Sequence, residues 1–152
     1  MMYFIIILLL FTLDYAIKHY IEQQDNASFP RSLFHGKITL HKKHNSGMIM
    51  GIFEEYPKVT KYIPFGITCI LTLFYLPYYF KKGNSLMKLS GVFCISGAIN
   101  NVLDRITRSY VVDYFSLPFK KIKHIIFNLS DIFIFLGAIF LLLNELFKSS
   151  KS

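Results

Sequence analysis

A chain of 152 residues that is 53% hydrophobic, with a mean hydropathy of +0.42, carries more apolar sequence than a soluble domain of this length needs. Its formal charge of +8 would suit nucleic acid, yet the lysines lie in short connections between apolar segments. Anionic lipid headgroups are the better match, so composition points to a membrane protein and away from a nucleic-acid partner.

A membrane-crossing helix needs roughly 20 mostly apolar residues, and four windows qualify: about Met2–Ile21, Val59–Phe80, Leu86–Ile106 and Ile125–Phe147. The first opens on a signal-like apolar core but lacks a basic leader and a small-residue cleavage pattern, so it reads as a retained helix. Within it Asp14 and Lys18 are four apart, on one face, and can neutralise each other. The connection 22–58 is too long for a simple turn. Its alternating stretch Lys37–Lys43 predicts a short strand or hairpin, and Asn45–Phe53 an amphipathic piece at the membrane surface. Pro64 and Pro77 are expected to kink the second span or mark its ends. Tyrosines beside Pro77 suit the headgroup layer.

The third span carries Gly91, Ser96, Gly97 and Ala98, which permit close helix approach. Gly97, Asn101, Asp104 and Arg105 recur on it at helical spacing as one polar stripe. Such a stripe must face the bundle interior or water, and a structural hydrogen-bond network would explain it as well as a site would. The connection 107–124 contains Asp113, and the fourth span opens on Asn128 and Asp131, three apart and on one face. One domain suffices. These spans put both termini and the Lys81–Lys88 connection on one side and the two longer connections on the other. Lysine and arginine number eleven around the longer connections against five on the terminal side, so charge alone would place the termini outside.

Ionised carboxylates are costly at a bilayer boundary unless they find a partner, face a cavity or do chemistry. Asp113 taken alone reads as an ordinary headgroup-level loop acid, and Asn128 with Asp131 as a helix-start pair. Two such acids on the same side and at the same depth fit a different role: brought together, they could share one proton, as an aspartic peptidase requires. His41 and His44 lack a third ligand and read as a solvated basic loop, so no metal is expected. Cys69 and Cys94 fall in apolar runs and read as buried small hydrophobes. No serine has a nucleophile setting.

Taken in order, five segments resemble the bacterial lipoprotein signal peptidases (signal peptidase II), four-helix membrane aspartic peptidases. Asp14-Tyr-Ala-Ile-Lys18 resembles the family's Asp-Gln-x-x-Lys, and Asn45-Ser-Gly47 its Asn-x-Gly. The segment from Gly97 to Arg105 resembles Gly-Ala-x-Gly-Asn-x-x-Asp-Arg. Val111-Val-Asp113-Tyr resembles Val-x-Asp-Phe, and Phe127-Asn-Leu-Ser-Asp131 resembles Phe-Asn-x-Ala-Asp. The resemblance implies an all-α membrane fold of four transmembrane helices, with a small extracytoplasmic β-containing loop and a surface amphipathic segment. It implies Asp113 and Asp131 as the catalytic pair. Asn45, Gly47, Asn101, Arg105 and Asn128 become site-lining groups, and Asp14, Lys18 and Asp104 supports. It implies no cofactor, and a diacylglyceryl-modified prolipoprotein as substrate, cut before the lipidated Cys. The expected setting is a monomer among membrane lipids in the bacterial inner membrane, with the site at the extracytoplasmic face and the termini cytoplasmic.

Tyr15, Asn100, Ser109 and the Met48–Met50 stretch depart from the family pattern, the last altering the surface expected to cover substrate. Two alternatives stay open: a catalytically altered paralogue that binds lipoprotein precursors, and a small transporter subunit with intramembrane acids.

Overall fold

The computed structural model describes residues 1–48 and 52–149. Four helices, α1 (Met2–Gln23), α2 (Pro57–Phe80), α3 (Ser85–Arg108) and α4 (Leu129–Ser149), are each long and apolar enough to cross a bilayer. At 1.5 Å per residue, even a helix of 21 residues spans about 30 Å, the hydrocarbon thickness. Helix α3 is the central one: 56% of its apolar window is buried, against 17%, 11% and 22% for α1, α2 and α4. It packs on all three others, which turn Leu8, Ile70, Phe135 and similar side chains outward, where lipid is the only apolar solvent.

Small residues let these helices close up. The Ser90 hydroxyl donates to the Gly137 carbonyl at 2.8 Å and pairs with the Tyr75 hydroxyl at 2.7 Å, tying α2, α3 and α4 at one level. A Cβ on Gly137 would lie 2.8 Å from the Cys94 nitrogen and 2.9 Å from the Ser90 carbonyl oxygen, backbone atoms that cannot step aside. Gly137→Ala is therefore expected to cost about 1–3 kcal/mol by overpacking, read as a lowered unfolding midpoint in detergent. An unchanged midpoint would mean that the two helices do not approach this closely.

Helix α2 starts at Pro57, in the first-turn position proline tolerates, and runs on to Phe80. Pro64 and Pro77 thus lie inside it and mark neither end.

A three-stranded antiparallel sheet caps one end of the bundle, in the order β1 (Arg31–Leu33), β2 (Ile38–Asn45), β3 (Val111–Ser116). Strand β2 covers the expected alternating stretch. Leu40 faces Phe115 and Lys43 faces Asp113, so β2 carries one extra residue, a bulge. At this bulge the Lys42 ammonium donates to the carbonyls of Glu22 and Gln24 at 2.8 and 2.9 Å, satisfying acceptors that the C-terminus of α1 leaves open.

Two expectations need correction. The 107–124 connection is not simply a loop, because β3 runs through it and is buried except at Phe115. Helix α4 begins at Leu129, not Ile125. Phe127 pairs with Phe115 through N–H···O bonds of 2.7 and 3.0 Å, drawing the chain before Asn128 to the sheet edge. After β2, Ile52–Glu55 forms a turn. Ile49 and Met50, part of the expected surface segment and of the Met48–Met50 departure, lie outside the described residues.

Candidate active site

Asp113 sits on β3 with Asn45 diagonally across on β2, the geometry in which same-face neighbours touch. The Asn45 amide donates to Asp113 Oδ2 at 2.9 Å, while its Oδ1 accepts the Gly47 N–H at 3.1 Å. The second oxygen, Asp113 Oδ1, accepts from the Asn128 amide at 2.8 Å. Both carboxylate oxygens are thus held by side-chain amides.

Asn128 is also the residue on which α4 starts. Its Oδ1 accepts the Asp131 N–H at 2.9 Å, and Asp131 Oδ2 accepts the Asn128 N–H at 3.1 Å. This is the reciprocal capping box of a helix N-terminus, built here from Asn and Asp. The helix-start reading and the site reading of this pair therefore coincide. The other oxygen, Asp131 Oδ1, accepts from the Asn101 amide at 3.0 Å. Asn128 grips one acid with its side chain and is capped by the other, so a single residue sets their relative position.

Beneath the pair lies a buried ionic cluster. Lys18, fully buried, reaches Asp14 at 3.0 Å, Asp104 at 2.9 Å and the Asn101 Oδ1 at 2.8 Å, which uses every N–H of its ammonium. With its Oδ1 committed to Lys18, Asn101 must turn its NH₂ toward Asp131. Asp14 accepts from the Tyr114 hydroxyl at 2.8 Å, the Ser130 hydroxyl at 2.5 Å and the Leu129 N–H at 3.2 Å, joining α1 to the start of α4. Asp104 accepts the Val112 N–H at 3.4 Å and so anchors β3 beside Asp113. Arg105 donates to the carbonyls of Gly47 and Asn101 at 3.0 and 3.2 Å, bracing the chain after β2 against α3.

The acids Asp113 and Asp131 and the eight residues expected to line or support them thus join one hydrogen-bonded network. Sequence reasoning missed Tyr114 and Ser130. Each neighbours a noted residue, and strand alternation turns Tyr114 to the face opposite Asp113, toward α1. His41 and His44 do not converge: His41 pairs with Ser116 at 2.8 Å, and His44 with Glu22 at 2.7 Å.

Burial pushes the Asp113 carboxyl up to about 6, and the neighbouring Asp131 charge adds to the rise, against the lowering donated by Asn45 and Asn128. Asp131 thus lies near enough for its charge to act on Asp113.

The model of the family described as signal peptidase (SPase) II matches residues 6–147. Curated proteins named lipoprotein signal peptidase align end to end. That of Clostridioides difficile is 32% identical, covering 100% of this chain and 99% of its own length. That of Caldicellulosiruptor bescii is 37% identical, covering 95% and 93%. A solved structure described as a bacterial membrane enzyme superposes with a TM-score of 0.83 at 20% identity, over 99% of this chain and 91% of that one, and shares the fold. With its four candidate spans, this is a multi-pass membrane protein, and the chain belongs to the signal peptidase II family.

Proposed function

We propose that the protein is an aspartic endopeptidase that removes the signal peptide from diacylglyceryl-modified prolipoproteins, cutting just before the lipidated Cys. The observation that carries this reading is Asn128 holding Asp113 by its side chain while Asp131 caps its backbone N–H. That arrangement ties Asp113 on β3 to Asp131 at the start of a membrane-spanning helix, which supports a pair acting together.

With one proton shared by the pair, the ionised carboxylate takes a proton from water as the water oxygen attacks the scissile carbonyl carbon. The protonated carboxyl gives its proton to the carbonyl oxygen. Collapse of the resulting tetrahedral diol breaks the C–N bond: the protonated acid gives its proton to the leaving amine, the other carboxylate takes one from a diol hydroxyl as the C=O re-forms, and the pair again holds a single proton. The four amide contacts from Asn45, Asn101 and Asn128 hold both acids in place throughout. Arg105 and Gly47 brace the chain that flanks the substrate path. A signal peptide with its lipid tail reaches such a site by lateral diffusion. The site faces the extracytoplasmic side of the inner membrane, with the termini cytoplasmic. This orientation comes with the family reading and runs against the bare charge count.

The test uses purified protein in proteoliposomes with a synthetic lipobox peptide, diacylglyceryl-modified or unmodified at its Cys. Mass spectrometry is expected to find a single cut before the modified Cys and none in the unmodified peptide. Binding without cleavage would replace the enzyme with a precursor-binding paralogue.

The pH dependence follows from Asp113. Above its titration near 6 the free pair loses its last proton, and no acid remains for the carbonyl oxygen. Accordingly, kcat/KM is expected to fall about tenfold per pH unit beyond that point. Bound substrate excludes water and disfavours the doubly charged pair further, so kcat holds to higher pH. An alkaline limb at the same pH for both parameters would contradict this.

A further inference from the structure

Next to the acid network, with Arg105 common to both, the start of α2 and the end of α3 enclose a notch of about 140 Å³. Pro57, Lys58, Thr60, Lys61, Tyr62, Arg105 and Ser109 line it, and among the described residues no carboxylate does. Arg105 already feels the charges of Asp131, Asp113 and Asp104, so Lys58 and Lys61 are the cations left to repel one another unless a further anion joins them. Lys61 spends one N–H on the Ile106 carbonyl at 3.1 Å and pairs with no carboxylate among the described residues. Arg105 uses its terminal nitrogens on backbone carbonyls, and its buried Nε has no hydrogen-bond partner among the described residues. An orphaned buried donor costs free energy that an acceptor oxygen would recover.

The surroundings say where that anion comes from. Below the notch α2 turns Ile63, Phe65 and Ile67 outward, and α3 turns Ile106 outward, surfaces that only acyl chains would cover. Tyr62, 63% exposed beside the cations, suits the headgroup layer. We propose that this notch is a subsite for the phosphate of an anionic phospholipid, whose chains lie along α2 while its headgroup bridges Lys58, Lys61 and Arg105. A zwitterionic lipid fits worse, because no acid is there to receive a choline. Through Arg105, which also grips Gly47 and Asn101, an occupied notch steadies the chain beside the acid pair.

The test is lipid retention on the full chain purified from nanodiscs of mixed phosphatidylglycerol and phosphatidylcholine, read by native mass spectrometry. The wild-type protein is expected to retain phosphatidylglycerol preferentially, and Lys58→Glu to reduce that retention at least about fivefold, the scale of one lysine at an anionic surface. Lys58 is exposed, so the variant leaves the fold intact. Lys37→Glu, a charge change of equal size on the exposed sheet periphery, is expected to leave retention unchanged. Equal loss in both variants, or no preference in the wild type, overturns the subsite. So does displacement of the lipid by millimolar inorganic phosphate, which would assign the notch to a soluble anion. Retention does not depend on proteolysis, so this result and the cleavage result stand or fall separately.

Discussion

Asp113→Asn and Asp131→Asn will each lose roughly 10²–10⁴-fold in kcat or more, the scale of general acid–base catalysis, while remaining folded and inserted. Asn has the shape of Asp and keeps its carbonyl oxygen, so the changes remove a proton carrier with little disturbance of packing. In Asp113→Asn the new amide can still accept from Asn45 or Asn128 through its oxygen, but its NH₂ then faces the other donor. The expected structural cost is therefore small beside the catalytic one. Single-turnover cleavage of a lipidated peptide separates the two, provided unfolding midpoints are measured on the same samples. Near-normal cleavage by either variant would remove the catalytic assignment.

Lys18→Met is expected to destabilise the protein by about 3–5 kcal/mol, the cost of stripping one partner from a buried ionic cluster. Its ammonium lies within 3.0 Å of Asp14 and 2.9 Å of Asp104, and none of the three side chains is more than 1% exposed. Without the lysine, two carboxylates face each other in the bundle interior and must bind protons or draw in water. Asn101 also loses the contact that fixes its amide, so Asp131 loses an oriented donor and activity falls along with stability. Adding Asp104→Asn to Lys18→Met removes one stranded charge and should recover part of the loss, a non-additivity that a double-mutant cycle reads directly. A shift below about 1 kcal/mol for the single change would mean that water already reaches the cluster.

Hydropathy made the four spans legible because lipid-facing helices must be apolar over most of their length. It could not start α4's window at Leu129, since Phe127 is as apolar as the helix that follows and only its backbone pairing with Phe115 separates them. Strand β3 escaped notice for a related reason. Val111 to Ser116 is buried on both faces, and a strand buried twice loses the alternation by which strands are recognised. The Asp14–Lys18 and Asn128–Asp131 pairs were readable from spacing alone, because helical neighbours three or four apart share a face. Asp104 as a second partner of Lys18, and Asn45 as a partner of Asp113, were not. Those contacts join residues far apart in sequence, brought together by packing of α1 on α3 and by the register of β2 on β3. Family resemblance named these residues; only the fold explains why they meet.

Infrared titration of Asp113 in the Asp131→Asn variant, with isotope-labelled aspartate to identify the band, tests the shared-proton account most directly. The Asp131 charge helps to hold Asp113 up near 6, so its removal is predicted to move the Asp113 midpoint down toward, though not to, the ordinary carboxylate range, with burial retaining the rest. A midpoint that stays put would show that the two carboxyls do not sense each other, and one water between them would have no pair to activate it.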